Sequence, residues 1–271
     1  MKRILIPTDF SANAYKAMEY AIYLFEREPC TFYLLNAQET NTGSDRTERV
    51  TDPNVKMMED LFKEVNIKNT NPEHFYKREV IYDALVNAVG KTVISRNVDY
   101  IFMGTKGSTA AREIFMGSNA LKVIKNIDFC PVVAVPETYD YDLPDEILFP
   151  TDFKSTYEEF GLKPLKEIAG LWGSKIRILH ITEEEQFNEV QVKNRKKLGR
   201  LLKNFTYTRE EIVKYNNISK VIARYSENRA IGMVAMINNK HSFPEKLFRE
   251  PVIRNVVFRI KVPFLVMPDI T

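Results

Sequence analysis

The sequence predicts an α/β protein of two tandem domains, each a five-stranded parallel sheet flanked by helices. Short apolar runs alternate along the chain with amphipathic stretches at helical spacing. One segment also occurs twice, as ILIPTDF from Ile4 and as ILFPTDF from Ile147, and the two copies agree at six of seven positions. Because parallel strands need crossover connections, which helices usually form, this alternation predicts a doubly wound sheet in each half.

In the first half, five apolar runs are separated by four amphipathic stretches. The run at 4–7 is followed by Ser11, a good helix cap, and then by Ala14, Ala17 and Met18 at helical spacing. The polar stretch 38–53 is interpreted as a loop. The predicted strands are 4–7, 31–37, 75–80, 98–103 and 131–135, and the predicted helices are 11–25, 55–65, 84–95 and 118–126.

The second half repeats this order. Ser155 and Glu158 have the spacing of a capping box, which predicts that the first helix of this half begins there. The other helices are predicted at 189–204, 219–227 and 252–259, and the strands at 147–149, 175–181, 211–215, 231–237 and 263–267. The repeat predicts one domain at 1–138 and a second at 145–271.

Composition excludes several classes of function. A net charge of +3 over 271 residues argues against a nucleic-acid partner. No apolar run reaches the roughly 18 residues that span a bilayer, and no signal peptide is recognisable, so we expect a cytoplasmic location and no membrane partner. Cys30 and Cys130 are expected to be free thiols, and the three histidines lack the spacing of metal ligands.

A glycine-rich signature follows the fourth predicted strand of the first half, with the spacing Gly104-x2-Gly107-x9-Gly117-Ser118. Glycine can take positive φ angles and lets the backbone approach an anion closely. The helix beginning at Ser118 offers free N–H groups to a phosphate, and Asn119 adds an uncharged donor.

Three further residues follow the first predicted strand, at the same end of the predicted sheet: Pro7, Thr8 and Asp9. Ligands of doubly wound sheets bind at the carboxyl ends of the strands, where the strand order reverses. The two segments together predict a ligand that carries a phosphate group.

This pattern resembles the universal stress protein family, in the branch whose members bind ATP. The resemblance covers the chain as a tandem protein and is strongest over residues 1–136. It implies Rossmann-like domains of the adenine nucleotide alpha hydrolase type, and ATP, ADP or AMP as the ligand, with or without Mg²⁺. One departure is Asn36, where the family often has the histidine seen here as His180.

The resemblance also implies a role for each site residue. Asp9 is expected to face the ribose or adenine, and the backbone of Ala37 the adenine ring. The floor beneath the nucleoside is expected to be Met103 and Gly104, and the phosphate cradle Gly107, Gly117, Ser118 and Asn119. The sequence leaves a second interpretation open, in which Asp9 caps a helix and the glycines serve only the packing of helix against strand.

The second half lacks the glycine signature. Alignment of the last strands, at Pro131 and Pro263, without a gap places other residues at the positions of Gly104, Gly107, Gly117 and Ser118, namely Met236, Asn239, Arg249 and Glu250. A carboxylate at the start of the last helix would repel a phosphate. The second half is therefore predicted to keep the fold and Asp152 without binding a nucleotide.

No catalytic group accompanies the predicted site. The chain has no G-x4-G-K-[ST] loop, and Pro-Thr-Asp-Phe-Ser stands where ATP pyrophosphatases have a serine-glycine-glycine loop. A nucleotide-binding sensor or regulator of a stress response is the leading interpretation. Slow ATP hydrolysis and a nucleotide-independent scaffold are the alternatives. Apolar last strands predict an internal pseudo-dimer of the two domains and leave open a homodimer and an unknown protein partner.

Overall fold

Short, buried apolar strands that run parallel to their neighbours form the core of the structure. The structure is a computed structural model that describes residues 1–39, 52–105, 118–139, 142–182, 186–213, 218–238 and 260–269. These residues form two compact units with the boundary between Glu137 and Thr138. The elements of the first unit are β1 (Lys2–Pro7), α1 (Ala12–Leu24), β2 (Cys30–Ala37), α2 (Pro53–Lys68), β3 (His74–Ile81), α3 (Leu85–Arg96), β4 (Tyr100–Gly104), α4 (Ser118–Asn126) and β5 (Val132–Val135).

The sheet of the first unit has the order β3-β2-β1-β4-β5, and all neighbouring strands are parallel. The chain first builds outward from β1 to β3 and then returns to add β4 on the other side of β1. The strand order therefore reverses between β1 and β4, where the loops at the carboxyl ends diverge.

Helix α1 is positioned by its cap and by an aromatic cluster. The hydroxyl oxygen of Ser11 accepts a hydrogen bond from the backbone N–H of Ala14, at 3.2 Å. Farther along, the ring of Phe25 packs against Tyr100 and Phe102 of β4, with centroids 5.3 and 6.1 Å away. All three rings are buried, so α1 is fixed across the switch point of the sheet.

The second unit has the same arrangement. Its sheet has the order β10-β9-β6-β7-β8, again with parallel neighbours. The predicted helix 252–259 lies outside the described residues. The elements are β6 (Glu146–Thr151), α5 (Lys163–Trp172), β7 (Lys175–Thr182), α6 (Glu189–Leu201), β8 (Tyr207–Val213), α7 (Ile218–Asn228), β9 (Met233–Asn238) and β10 (Phe264–Pro268).

The capping box predicted at Ser155 and Glu158 is wrong. Helix α5 begins at Lys163, with Pro164 in its first turn and no side-chain cap. Before it, Tyr157 buries its ring and shares a hydrogen bond with the hydroxyl of Thr151, which draws this segment into the core. The capping box of this unit lies instead at the start of α6, between Asn188 and Gln191.

The gap-free alignment of the two halves is wrong by one residue at the fourth strand of each unit. Leu5 pairs with Ile101 in the first unit, and Leu148 pairs with Val234 in the second. The same register continues outward, where Ile101 pairs with Val132 and Val234 pairs with Phe264. The equivalent of Gly104 is therefore Ile237, and Met236 is the equivalent of Met103. The reason is that the second half is one residue shorter between these last two strands. The conclusion that this position lacks a glycine is unchanged.

Candidate functional site

A cavity of about 270 Å³ opens at the carboxyl ends of β1, β2 and β4 in the first unit. Seven of the residues that the sequence predicts for the site line it: Pro7, Thr8, Asp9, Ala37, Met103, Gly104 and Asn119. Ser118 is the first residue of α4. The predicted site residues Gly107 and Gly117 lie outside the described residues. Seven of the eight described residues of the predicted site therefore line one cavity at the switch point of the sheet.

The turn between β1 and α1 is held by two side-chain hydrogen bonds. The hydroxyl of Thr8 accepts from the backbone N–H of Phe10 at 2.9 Å, and the carboxylate of Asp9 accepts from that of Ser11 at 3.1 Å. Phe10 has a φ of +61°, which is unusual for a residue other than glycine. The two bonds stabilise this backbone conformation, while the side chain of Asp9 stays exposed at the rim of the cavity.

Asn36 and Gln38 form a polar wall beside this turn. The amide of Asn36, which is buried, donates a hydrogen bond of 2.7 Å to the carbonyl of Thr8. The amide of Gln38 in turn donates to the side-chain oxygen of Asn36. Asn36 thus ties the end of β2 to the end of β1, a role that the resemblance did not predict for it.

Gly104 is a glycine because helix α1 approaches it closely. A Cβ atom at this position would lie 2.7 Å from the backbone oxygen of Asn13 and 2.7 Å from its side-chain nitrogen. The expectation of a positive φ is wrong here, since among the described glycines only Gly173 has one, at +67°. The packing interpretation that the sequence left open therefore applies to Gly104, whose lack of a side chain also leaves the cavity open.

The sequence reasoning did not include six of the lining residues in the site: Ala14, Asn36, Gln38, Asn54, Leu85 and Ala120. Their signal is positional, because they lie at the end of a strand or in the first turns of a helix, where a doubly wound sheet places its ligand. Asp9 carries the only charged side chain among the described lining residues. One carboxylate among neutral amides and apolar groups suits hydroxyl and amino donors, such as those of a nucleoside.

Other kinds of site find little support in the described residues. In that part of the chain, no group of three or more His, Cys, Asp or Glu side chains could hold a metal ion. No helix among the described elements is long and apolar enough to cross a membrane. Cys30 and Cys130 are free and buried, and burial raises the pKa of both thiols to about 12, which makes them poor nucleophiles.

The second unit repeats the turn after its first strand. The hydroxyl of Thr151 accepts from the N–H of Phe153 at 3.0 Å, the carboxylate of Asp152 accepts from that of Lys154 at 2.9 Å, and Phe153 has a φ of +56°. The pairing of Thr151 with His180 places this histidine at the position of Asn36. Asp9 and Asp152 are thus structurally matched residues.

The surroundings of the second turn differ from those of the first. The buried ring of His180 stacks on Phe187, with centroids 4.7 Å apart and planes 20° from parallel, and packs against Phe153 at 5.0 Å. Gln191 and Asn194 of α6 donate hydrogen bonds, each 2.9 Å long, to the carbonyls of Asp152 and Phe153. Side chains of the second unit therefore pack directly onto this turn.

Known proteins of the same fold include stress proteins. The structure of a universal stress protein from Archaeoglobus fulgidus DSM 4304 superposes with a TM-score of 0.73 at 19% identity, covering 98% of this chain and 96% of that one. A functionally unknown protein from Pseudomonas aeruginosa PAO1 gives 0.61 at 11% identity, covering 99% and 92% of the two chains. The cytoplasmic domain of a prokaryotic cation chloride cotransporter gives 0.56 at 9% identity, covering 99% and 95%.

At these identities the structural likeness shows the fold alone. A search of curated proteins gave no match. The model of the Universal stress protein family matches residues 1–136, which is half of the chain and contains all of the described cavity. The chain belongs to the universal stress protein family.

Proposed function

We propose that this stress protein binds one adenine nucleotide, in its first unit, and acts as a nucleotide-dependent sensor or regulator. The observation that carries the proposal is the convergence of seven sequence-predicted residues on one cavity at the switch point of the sheet. Family membership is consistent with a role in a stress response. Residues 1–138 are the proposed binding domain, and residues 145–271 are proposed as a copy that binds no nucleotide.

The lining of the cavity suits the nucleoside end of the ligand. Asp9 supplies a carboxylate that accepts hydrogen bonds from the ribose hydroxyls or the adenine amino group. Ala37, Leu85 and Met103 supply apolar surface for the adenine ring.

The start of α4 suits the phosphates. Its first N–H groups and the amide of Asn119 can donate to phosphate oxygens, and the dipole of the helix favours negative charge there. Ser118 is assigned to the phosphates from the sequence alone. Gly107 and Gly117 are assigned to the same cradle from the sequence spacing. Mg²⁺ would accompany ATP through the phosphates, since Asp9 is the only carboxylate among the described lining residues.

Binding is favoured over hydrolysis by the position of that carboxylate. Asp9 accepts a hydrogen bond from the backbone of Ser11 and lies at the proposed nucleoside end, so it is poorly placed to activate a water at the terminal phosphate. Phosphate release over hours should therefore be no faster for the wild type than for an Asp9→Ala variant. A faster wild-type rate would support a hydrolase instead.

Calorimetric titration with ATP, ADP and AMP tests the proposal, and Asp152→Ala is the matched control for Asp9→Ala. Each substitution removes a carboxylate that accepts one backbone hydrogen bond in an equivalent turn. We expect one site in the wild type, affinity lower by about tenfold or more in Asp9→Ala, and no change in Asp152→Ala. Equal losses in the two variants, or two nucleotides per wild-type chain, would contradict the proposal.

Three predictions about assembly remain. They are the pairing of the two halves as an internal pseudo-dimer, the formation of a homodimer by two chains, and binding to a protein partner. Native mass spectrometry of the full chain, and of a mixture of separately expressed 1–138 and 145–271 segments, would test the first two.

A further inference from the structure

The two units can be compared position by position through helices α2 and α6. Val65 of α2 and Leu198 of α6 are the last buried residues of their helices, and each lies four residues before the C-cap, Asn69 or Leu202. In both helices another buried residue lies seven positions earlier. Val65 and Leu198 therefore occupy equivalent positions.

This equivalence places Phe187 at the position of Asn54, since each lies eleven residues before the matched residue of its unit. Asn54 lines the cavity of the first unit, as does Asn36, whose equivalent is His180. In the second unit the rings of Phe187 and His180 stack 4.7 Å apart at these same two positions. The guanidinium of Arg195 lies 5.0 Å from the centre of the Phe187 ring.

We infer that the second unit retains a binding site for a planar aromatic ring and that Phe187 of the same chain occupies it. The ring of Phe187 is held by stacking on His180 and by the ring of Phe153, whose centroid lies 5.9 Å from its own. The guanidinium of Arg195 adds a cation–π contact. Gln191 and Asn194 keep α6 against the turn and so keep Phe187 in place.

Phe187 thus accounts for the different ligand behaviour of two units with the same turn. The first unit leaves its cavity open to a ligand from solution, whereas the second supplies an aromatic ring from its own chain. The inference rests on the proposed function for the statement that the first cavity is a ligand site. The site in the second unit can be tested without any nucleotide.

Indole is the probe, because it is neutral, planar and close in size to a purine base. Phe187→Ala removes the occupant, and Phe160→Ala is the matched control, since Phe160 lies in the same unit with 62% of its surface exposed. We expect Phe187→Ala to bind one more indole than Phe160→Ala, with an affinity at the new site about tenfold higher than any background binding. Indole should also raise the unfolding temperature of Phe187→Ala more than that of the control.

Equal indole binding by the two variants would overturn the inference. If Phe187→Ala does not fold alone, refolding in saturating indole decides: recovery of the native fold supports a ring site, and failure to recover contradicts it. Phe187→Leu should fold and bind no additional indole, because its side chain still fills the space. ATP titration of the wild type and of the same variants tests the first unit separately. If the wild type binds no ATP, the proposed function is refuted, but the indole result is unaffected.

Discussion

Gly104 shows how one residue can serve both the packing of the core and the lining of the candidate site. Asn13 of α1 lies so close to the end of β4 that no side chain fits between them. The same missing side chain leaves space at the cavity that Gly104 lines. In the second unit α5 begins only at Lys163, so no helix corresponds to the first turns of α1, and Ile237 stands at the position of Gly104. The loss of the glycine thus coincides with the loss of the contact that required it.

Gly104→Ala is expected to destabilise the protein by about 1–3 kcal/mol, because the added Cβ would overlap the backbone oxygen of Asn13 at 2.7 Å. Gly170→Ala is the control, since the nearest atom to its Cβ would be a ring carbon of Phe205 at 4.0 Å. That helical substitution should be neutral or stabilise by up to about 1 kcal/mol. The free energy of unfolding in urea measures both. Equal stability of the two variants would show that α1 can move away without cost.

His180 should make the second unit sensitive to acid. Burial lowers the pKa of His180 below its ordinary value, outweighing the opposite effect of the carboxylates of Glu211, 3.6 Å away, and Asp152. Because the folded state disfavours the proton, this group's contribution to the free energy of unfolding is present above about pH 6.5, the ordinary pKa of histidine, and is lost as the pH falls through its lower folded value.

His180→Asn gives this position the same residue type as its equivalent in the first unit, Asn36. This variant should therefore lose less stability than the wild type between pH 7.5 and pH 5. Urea unfolding at the two pH values gives the comparison, with His74→Asn as the control for a general effect of losing a histidine. The prediction fails if His180→Asn and the wild type lose the same free energy on acidification.

At the scale of elements, buried strands were the most predictable feature of the chain. β1, β2 and β7 begin and end within two residues of the predicted bounds because each contains four or more consecutive buried residues, most of them apolar. β8 begins at Tyr207, four residues before its predicted start, because its alternating half-buried and exposed residues include charged ones that weaken the signal. The predicted start of α5 was wrong because the burial of Tyr157 outweighed the local capping pattern of Ser155 and Glu158.

The candidate site was predictable to a similar extent and for similar reasons. Pro7, Thr8 and Asp9 could be read from the end of an apolar strand, and so could Met103 and Gly104. Lining residues such as Asn36 and Asn54 come from the end of β2 and the first turn of α2. Their position depends on packing between elements far apart in sequence, which a single motif does not encode.

Arg177 joins three strands at the opposite end of the second sheet. Its guanidinium makes a two-point contact with Glu146 of β6, including a bond of 2.7 Å, and another of 3.0 Å with Glu210 of β8. We expect Arg177→Ala to destabilise the protein by about 2 kcal/mol, because it leaves two partly buried carboxylates without this partner. Arg224→Ala, on an exposed position of α7, should change stability by less than about 0.5 kcal/mol. Urea unfolding distinguishes the two, and similar losses would show that the three-strand contact contributes little.

At the scale of the whole molecule, the two units share one architecture but differ in the surroundings of a common turn. Both keep the sheet order and the turn with its aspartate and its phenylalanine at positive φ. What differs is the space around the turn, which is open in the first unit and packed with aromatic and amide side chains in the second. A shared turn therefore establishes common architecture, whereas ligand binding depends on the surrounding side chains.

Hydrogen exchange with and without ATP should make this asymmetry visible in the intact chain. At a nucleotide concentration of about 100 times the Kd, a ligand that binds only the native state adds roughly 2.7 kcal/mol of stability, or about 100-fold slower exchange for amides that exchange by unfolding of the bound unit. We expect slower exchange in peptides covering 7–14, 100–105 and 118–124. Peptides covering 150–157 and 233–238 should exchange at the same rate with or without ATP.

The Asp9→Ala variant provides the control for this experiment, since an affinity about tenfold lower should reduce the protection of the first unit from about 100-fold to about tenfold at the same ATP concentration. Equal protection of both units in the wild type would mean either that the second unit binds nucleotide or that its stability is coupled to that of the first. Asp152→Ala separates these outcomes: a direct site near Asp152 would lose protection in the second unit alone, whereas coupling would leave both units protected. Only the first result would contradict the division of roles between an open and a self-occupied unit.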